Sequence, residues 1–203
     1  MELDEIIVSL YNRGLIKFGE FVLSSGKKSP YYIDLRILPS YPDLYSKLMD
    51  KVIEMIRDIN FDVVVGIETS GILHAAYLGC RINKPIAYVR KKAKEYGTKS
   101  AVEGVVQGRK VLLIDDVATT GNTLLNAVNA IRNAGGFIEY AIVMVDRMEG
   151  ARERLRKVNV ELKSVLSIDK IIKVLRRRNL IEKDILDKII AYCKREGISL
   201  NEN

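Results

Sequence analysis

The chain has 203 residues, 48% of them hydrophobic, and 33 basic against 26 acidic side chains give a formal charge of +7. That is enough apolar material for one globular domain with a small attached subdomain, and it excludes a disordered tail. The excess of cations favours an anionic ligand without identifying it, while the absence of any apolar run near the ~20 residues of a membrane span excludes a spanning segment.

In chain order, Leu3, Ile6, Ile7 and Leu10 repeat at helical spacing, and Gly14 is suited to close that helix in a left-handed conformation. Acids in this opening stretch occupy the place of the basic region of a secretory signal, so the protein is expected in the cytoplasm. Residues 15–38 read as two short strands around Ser24-Ser25-Gly26. Pro42 starts a helix with Leu44, Leu48, Val52, Met55 and Ile59 on one face, ending near Asn60. Apolar runs at Phe61–Ile67, Ile86–Val89, Val111–Ile114 and Tyr140–Val145 then alternate with helical stretches near 71–82 and 121–134. This succession predicts an α/β fold with a parallel sheet flanked by helices. A further helical stretch follows Arg147, then a strand near 160–166 and two amphipathic helices. Arg176-Arg177-Arg178 falls on one of these and reads as an exposed helix face, so no nucleic-acid partner is expected. Cys80 and Cys193 stand outside any CxxC or His/Cys cluster and read as buried small apolar residues.

The most informative segment is Val111-Leu112-Leu113-Ile114-Asp115-Asp116-Val117-Ala118-Thr119-Thr120-Gly121-Asn122-Thr123. A buried strand delivers two acids and a small, hydroxyl-rich loop to the start of a helix, where free N–H groups and the positive dipole end suit a phosphate. The carboxylates would repel that phosphate and instead suit ribose hydroxyls or a magnesium ion beside it. The alternative is a capped turn and nothing more. Two other nucleotide motifs fail: Gly26-Lys27-Lys28-Ser29 has Phe21 where a P-loop needs its first glycine, and no GxGxxG follows a strand.

The thirteen-residue string resembles the PRPP-binding signature of type I phosphoribosyltransferases, PRPP being 5-phosphoribosyl-1-pyrophosphate. Over nearly its whole length the chain is similar to the orotate phosphoribosyltransferase family. Phe21 to Arg36 resembles the family's N-terminal stretch, which implies a small hood over residues 1–40 and a core with C-terminal helices over 41–203, all within a single phosphoribosyltransferase domain. Tyr31, Tyr32 and Lys27 would then lie near orotate, with Ser24 standing where many members carry Lys. Gly66-Ile67-Glu68-Thr69-Ser70-Gly71 resembles the pyrophosphate loop, giving Glu68, Thr69, Ser70 and Gly71 to PRPP. Arg90-Lys91-Lys92-Ala93-Lys94-Glu95-Tyr96-Gly97-Thr98 resembles the catalytic loop, with Tyr96 in place of a common His.

From this resemblance Lys94, Arg90, Lys91 and Asp116 are the expected catalytic residues. PRPP is expected against Arg90, Lys91, Lys94, Tyr96, Asp115, Asp116, Val117, Ala118, Thr119, Thr120, Gly121, Asn122 and Thr123. Asp146-Arg147 resembles the step whose arginine grips the orotate carboxylate, and the chain continues Glu149-Gly150-Ala151 where the family has Glu-Arg-Gly. Thr119 is also expected at orotate. The lone His74 is left outside the site. The resemblance further implies Mg²⁺ held by Asp115 and Asp116, directly or through water, and a homodimer whose catalytic loop reaches the neighbouring subunit. A purine or uracil transferase would need no Arg147. A ligand-sensing regulator of this fold usually adds a DNA-binding helical module, for which the short segment before Gly14 leaves no room.

Overall fold

In a computed structural model, residues 2–22, 26–91 and 101–200 are described. The elements are α1 Leu3–Asn12, β1 Ile16–Val22, β2 Lys28–Ile33, a 3-10 turn Leu38–Ser40, α2 Pro42–Ile56, β3 Val63–Ile67, α3 Ser70–Ile82 and β4 Ile86–Val89. They continue with β5 Val102–Glu103, β6 Lys110–Ala118, α4 Asn122–Asn133, β7 Phe137–Asp146, α5 Ala151–Arg156, β8 Glu161–Ser167, α6 Ile168–Arg177 and α7 Lys183–Arg195. Two compact units result, one of Met1–Leu48 with Leu166–Asn203 and the other of Met49–Val165.

The larger unit is built on a sheet in the order β5-β4-β3-β6-β7-β8. β3 pairs in parallel with β4 and with β6, and β6 in parallel with β7. Both faces of the central strands are buried: Val63, Val65, Val111, Leu113 and Val143 join a cluster with Leu124, Ala127, Val128 and Ile131 of α4, while Val64, Leu112, Ile114 and Ile142 are equally withdrawn on the other face. Continuous Val/Ile/Leu runs without alternation are what such two-sided burial demands. Each fully buried side chain of this kind contributes about 1.5–3 kcal/mol.

Two boundaries differ from expectation in ways that shape the site. β6 runs on past Ile114 through both acids to Ala118, because its ladder with β7 continues through Asp115↔Val143 and Ala118↔Asp146. The short β5, which carries no recognisable apolar pattern, pairs antiparallel with Tyr88 and Val89 at the sheet edge. α2 stops at Ile56, earlier than the periodicity through Ile59 suggested.

In the smaller unit, β1 and β2 form an antiparallel pair. A two-stranded ribbon is marginal by itself, and helices from the far end of the chain complete it. Tyr31 meets Tyr192 of α7 edge-on at 5.6 Å, and α1 is tied to α6 through Asp4–Arg177 and Glu5–Arg178. The C-terminal helices therefore group with the N-terminal hairpin. Cys193 is buried as expected, but Cys80 is exposed, since its place on α3 turns it away from the apolar face formed by His74, Ala75 and Leu78.

Candidate active site

At the carboxyl end of β6, Asp115 is 8% exposed, and Asp116 beside it is half-buried. Burial in the first place, and the neighbouring Asp116 charge in the second, push the Asp115 carboxyl well above the usual carboxylate range. Asp116 is held from two sides: the Ser70 hydroxyl donates to Oδ2 at 2.8 Å and the Val117 N–H to Oδ1 at 2.7 Å. Ser70 opens α3, so this bond joins the start of α3 to the carboxyl end of β6.

The β3–α3 connection also packs closely on itself and on β6. A Cβ on Gly66 would lie 2.2 Å from the Gly71 carbonyl oxygen, and one on Gly71 would lie 2.8 Å from the Ile114 carbonyl and 3.1 Å from Asp115 Oδ1. Only glycine permits so close an approach. Between them the Glu68–Thr69 peptide is cis, Thr69 is exposed, and Glu68 and Ser70 are half-buried. The Glu68 N–H donates to Val89 O, and its carboxylate accepts the Lys91 N–H at 2.9 Å. Arg90 is anchored by its N–H to Ala101 O at 2.8 Å, and its guanidinium lies 3.7 Å from Glu103. Arg90 and Lys91 thus leave β4 beside the Glu68 loop. Lys94 and Tyr96 lie outside the described residues.

After Ala118 the chain passes through Thr119 and Thr120 to Gly121, which has φ +79° and precedes α4. Among the described residues no side chain caps this helix, and an uncapped helix start is chemically suited to an anion. Thr120, Asn122 and Thr123 are exposed there. Gly121 rests against α5: a Cβ on it would lie 2.9 Å from Ala151 Cα. The Asn122 side chain is bonded by Arg154 of the same helix.

The loop after β7 completes the strand-end cluster. Arg147 donates its N–H to Ala118 O at 2.9 Å, placing it next to the β6 loop. Its guanidinium bonds Glu149 through Nε at 3.0 Å and Nη2 at 2.9 Å, and the two side chains are only 4% and 2% exposed. Asp146 accepts the Met148 N–H at 2.8 Å and Arg152 Nε at 2.6 Å.

His74, omitted by the sequence reading, is fully buried in the first turns of α3, where burial lowers its pKa to about 4 against the opposing pull of the Asp116 charge. A lone histidine on an apolar face carried no signal of this proximity. Three expected orotate contacts fall in the smaller unit with other partners. Tyr31 is fully buried against Tyr192, so its ring is part of that unit's packing. Tyr32 stacks on Phe21 at 5.5 Å and accepts a bond from Arg36 at 2.8 Å. Lys27 is paired with Glu196 and lies 5.4 Å over the Tyr192 ring.

Residues 40–183 match the model of the phosphoribosyl transferase domain. The chain is 54% identical to an orotate phosphoribosyltransferase of Staphylothermus marinus over 194 residues, 96% of each protein. The chain belongs to the orotate phosphoribosyltransferase family. Within that family, the crystal structure of the Aeropyrum pernix protein superposes with a TM-score of 0.77 at 36% identity, covering 87% of this chain and 99% of that one. A UMP synthase of Leishmania donovani superposes with a TM-score of 0.86 at 30% identity over 96% of this chain, which spans 43% of that longer protein. No described helix is long and apolar enough to cross a membrane.

Proposed function

We propose that the protein transfers the 5-phosphoribosyl group of PRPP to a ring nitrogen of orotate, giving orotidine 5′-monophosphate and pyrophosphate, a step of pyrimidine nucleotide synthesis in the cytoplasm. The observation that carries this reading is the junction of three strand ends, where Ser70 bonds one of two adjacent carboxylates on the strand that leads to the uncapped start of α4. Ligands of open parallel sheets bind at such carboxyl ends.

In the reaction the anomeric C–O bond breaks as the C–N bond forms, with positive charge building on the sugar in the transition state and negative charge on the departing diphosphate. Residues 118–123 hold the 5′-phosphate, and Asp115 and Asp116 receive the ribose hydroxyls. Glu68, Thr69, Ser70 and Gly71 line the diphosphate. Lys94, with Arg90 and Lys91, neutralises it as it leaves, an electrostatic stabilisation that strengthens as water is excluded. Tyr96 belongs to the same loop and contacts PRPP. Arg147 and Thr119 hold orotate; a guanidinium fork matches a planar carboxylate with two parallel bonds. Positioning of an already ionised acceptor supplies much of the barrier reduction.

Among the described residues no three His, Cys, Asp or Glu side chains gather as a metal cage. Asp115 and Asp116, the latter already bound to Ser70, would instead hold a hydrated Mg²⁺, directly or through water. When bound, that ion supplies charge neutralisation at the diphosphate. A homodimer in which the 90–98 loop serves the neighbouring site completes the reading.

The test is the loss of orotate absorbance on mixing with PRPP and Mg²⁺, repeated with uracil, adenine and hypoxanthine. Turnover confined to orotate is expected; equal turnover of uracil would remove the role of Arg147.

A further inference from the structure

Arg152, in the first turn of α5, is half-exposed, yet three of its nitrogens are engaged. Nε donates to Asp146 Oδ2 at 2.6 Å, Nη1 to the Leu162 carbonyl at 3.0 Å, and Nη2 to the Ser164 hydroxyl at 2.8 Å. The fork therefore joins the end of β7 to β8. An arginine with this much exposed stem would keep its rotamer freedom in water unless the bonds it makes offset the loss.

Its partner explains the arrangement. Asp146 has no exposed surface, and a buried carboxylate persists only when paired and hydrogen-bonded. Its second oxygen holds the N–H of Met148, a non-glycine residue at φ +59°. Arg147 stands between these two residues, with its own N–H fixed on Ala118. The direction in which Arg147 leaves the strand is thus set by Asp146, and the orientation of Asp146 by Arg152.

We propose that Arg152 is a positioning residue for the acceptor: acting through Asp146, it fixes the 146–148 turn so that Arg147 meets a carboxylate-bearing base. This rests on the reading of Arg147 as the orotate contact. Arg152 itself bonds the two strands and touches neither substrate in this scheme. Displacing a binding group by a fraction of an ångström through its support is enough to lower catalytic efficiency by roughly ten- to a hundredfold.

The experiment compares steady-state constants for both substrates in Arg152→Gln, Arg152→Lys and Arg147→Lys. Arg152→Gln is expected to lower kcat/KM for orotate by roughly ten- to a hundredfold, mainly through KM, with the PRPP KM unchanged. A merely structural role would move both KM values, or neither. Should Arg152→Gln fail to fold, Arg152→Lys keeps a cation beside Asp146 without the fork to β8, and a selectively raised orotate KM is expected again. If both substrates keep their wild-type KM in the Arg152 variants while Arg147→Lys raises that of orotate, the positioning role is overturned and the acceptor site stands. If Arg147→Lys also leaves orotate unaffected, the acceptor site itself is wrong and the role of Arg152 falls with it.

Discussion

Arg147 and Glu149 form an ion pair 2.9 Å long with almost no exposed side-chain surface, so the residue assigned to the acceptor carboxylate already has an anionic partner within the protein. Removing one member of a buried pair leaves an uncompensated charge. Arg147→Ala is therefore expected to destabilise the fold by about 3 kcal/mol. Arg147→Ala combined with Glu149→Ala should recover a substantial part of that loss. Urea unfolding of the wild type, the two single variants and the double variant measures the coupling, and strict additivity would contradict it.

Gly121 is expected to resist even the smallest substitution. At φ +79°, with Ala151 Cα 2.9 Å from any Cβ, Gly121→Ala combines the left-handed penalty of about 1–2 kcal/mol with a backbone clash. A lowered melting temperature and a raised PRPP KM should appear together. Binding of PRPP by the variant with wild-type affinity would show that α5 yields and that the loop is not set by this contact.

Asp115 presents a conflict between stability and function. Its carboxyl is pushed upward by burial and by Asp116, so the folded state retains a proton that the unfolded chain loses above a pH of about 4. The carboxyl therefore costs stability increasingly as pH rises from there. Asp115→Asn should stabilise the unliganded protein by on the order of 1 kcal/mol at pH 8, about 2–4 °C in Tm. That advantage should shrink toward pH 4, and activity should be lost. Thermal scans across pH test the sign.

His74 has the opposite dependence. Its pKa of about 4 lies below the usual 6.5 because burial disfavours the cation. The unfolded chain therefore takes up the proton first as pH falls. Stability that is fully present above pH 6.5 is lost between about 6.5 and 4, by about 3 kcal/mol at most. His74→Leu should flatten that part of the profile. Equal pH dependence of its denaturant midpoint and that of the wild type would refute the buried neutral state.

The 90–98 loop yields a kinetic prediction. Lys94→Ala should reduce turnover by roughly 10²–10³-fold while PRPP binding by calorimetry is partly retained. If the 90–98 segment serves the neighbouring subunit, mixing Lys94→Ala protein with Arg147→Lys protein under subunit exchange should restore turnover at low orotate that neither shows alone. Absence of restoration despite demonstrated exchange would place loop and site in the same subunit.

The alternation of strands and helices from β3 to β8 was legible because it follows from local periodicity. Apolar runs without alternation announce strands buried on both faces, and the 3.6-residue spacing of Leu124, Val128 and Ile131 announces the helix that covers them. The strand-to-helix junction at 111–123 was equally legible, and hydroxyls, glycine and acids at such a junction mark it as a candidate cradle. Beyond that point the string of letters is silent, because partners distant in sequence leave no periodic trace.

Sequence alone, then, determined the family of the chain and its parallel sheet, and singled out the segment proposed to receive phosphate. Tertiary structure decided which charges neutralise one another: Asp146 pairs with Arg152, and Arg147 with Glu149. It also decided that Lys27 and Tyr31 pack with α7, and that His74 is buried near Asp116. The reason is physical. Secondary structure is written in short-range steric and apolar patterns, whereas the pairing of a buried charge depends on which donor the completed fold brings within 3 Å, and several neighbours in sequence compete for it on equal terms.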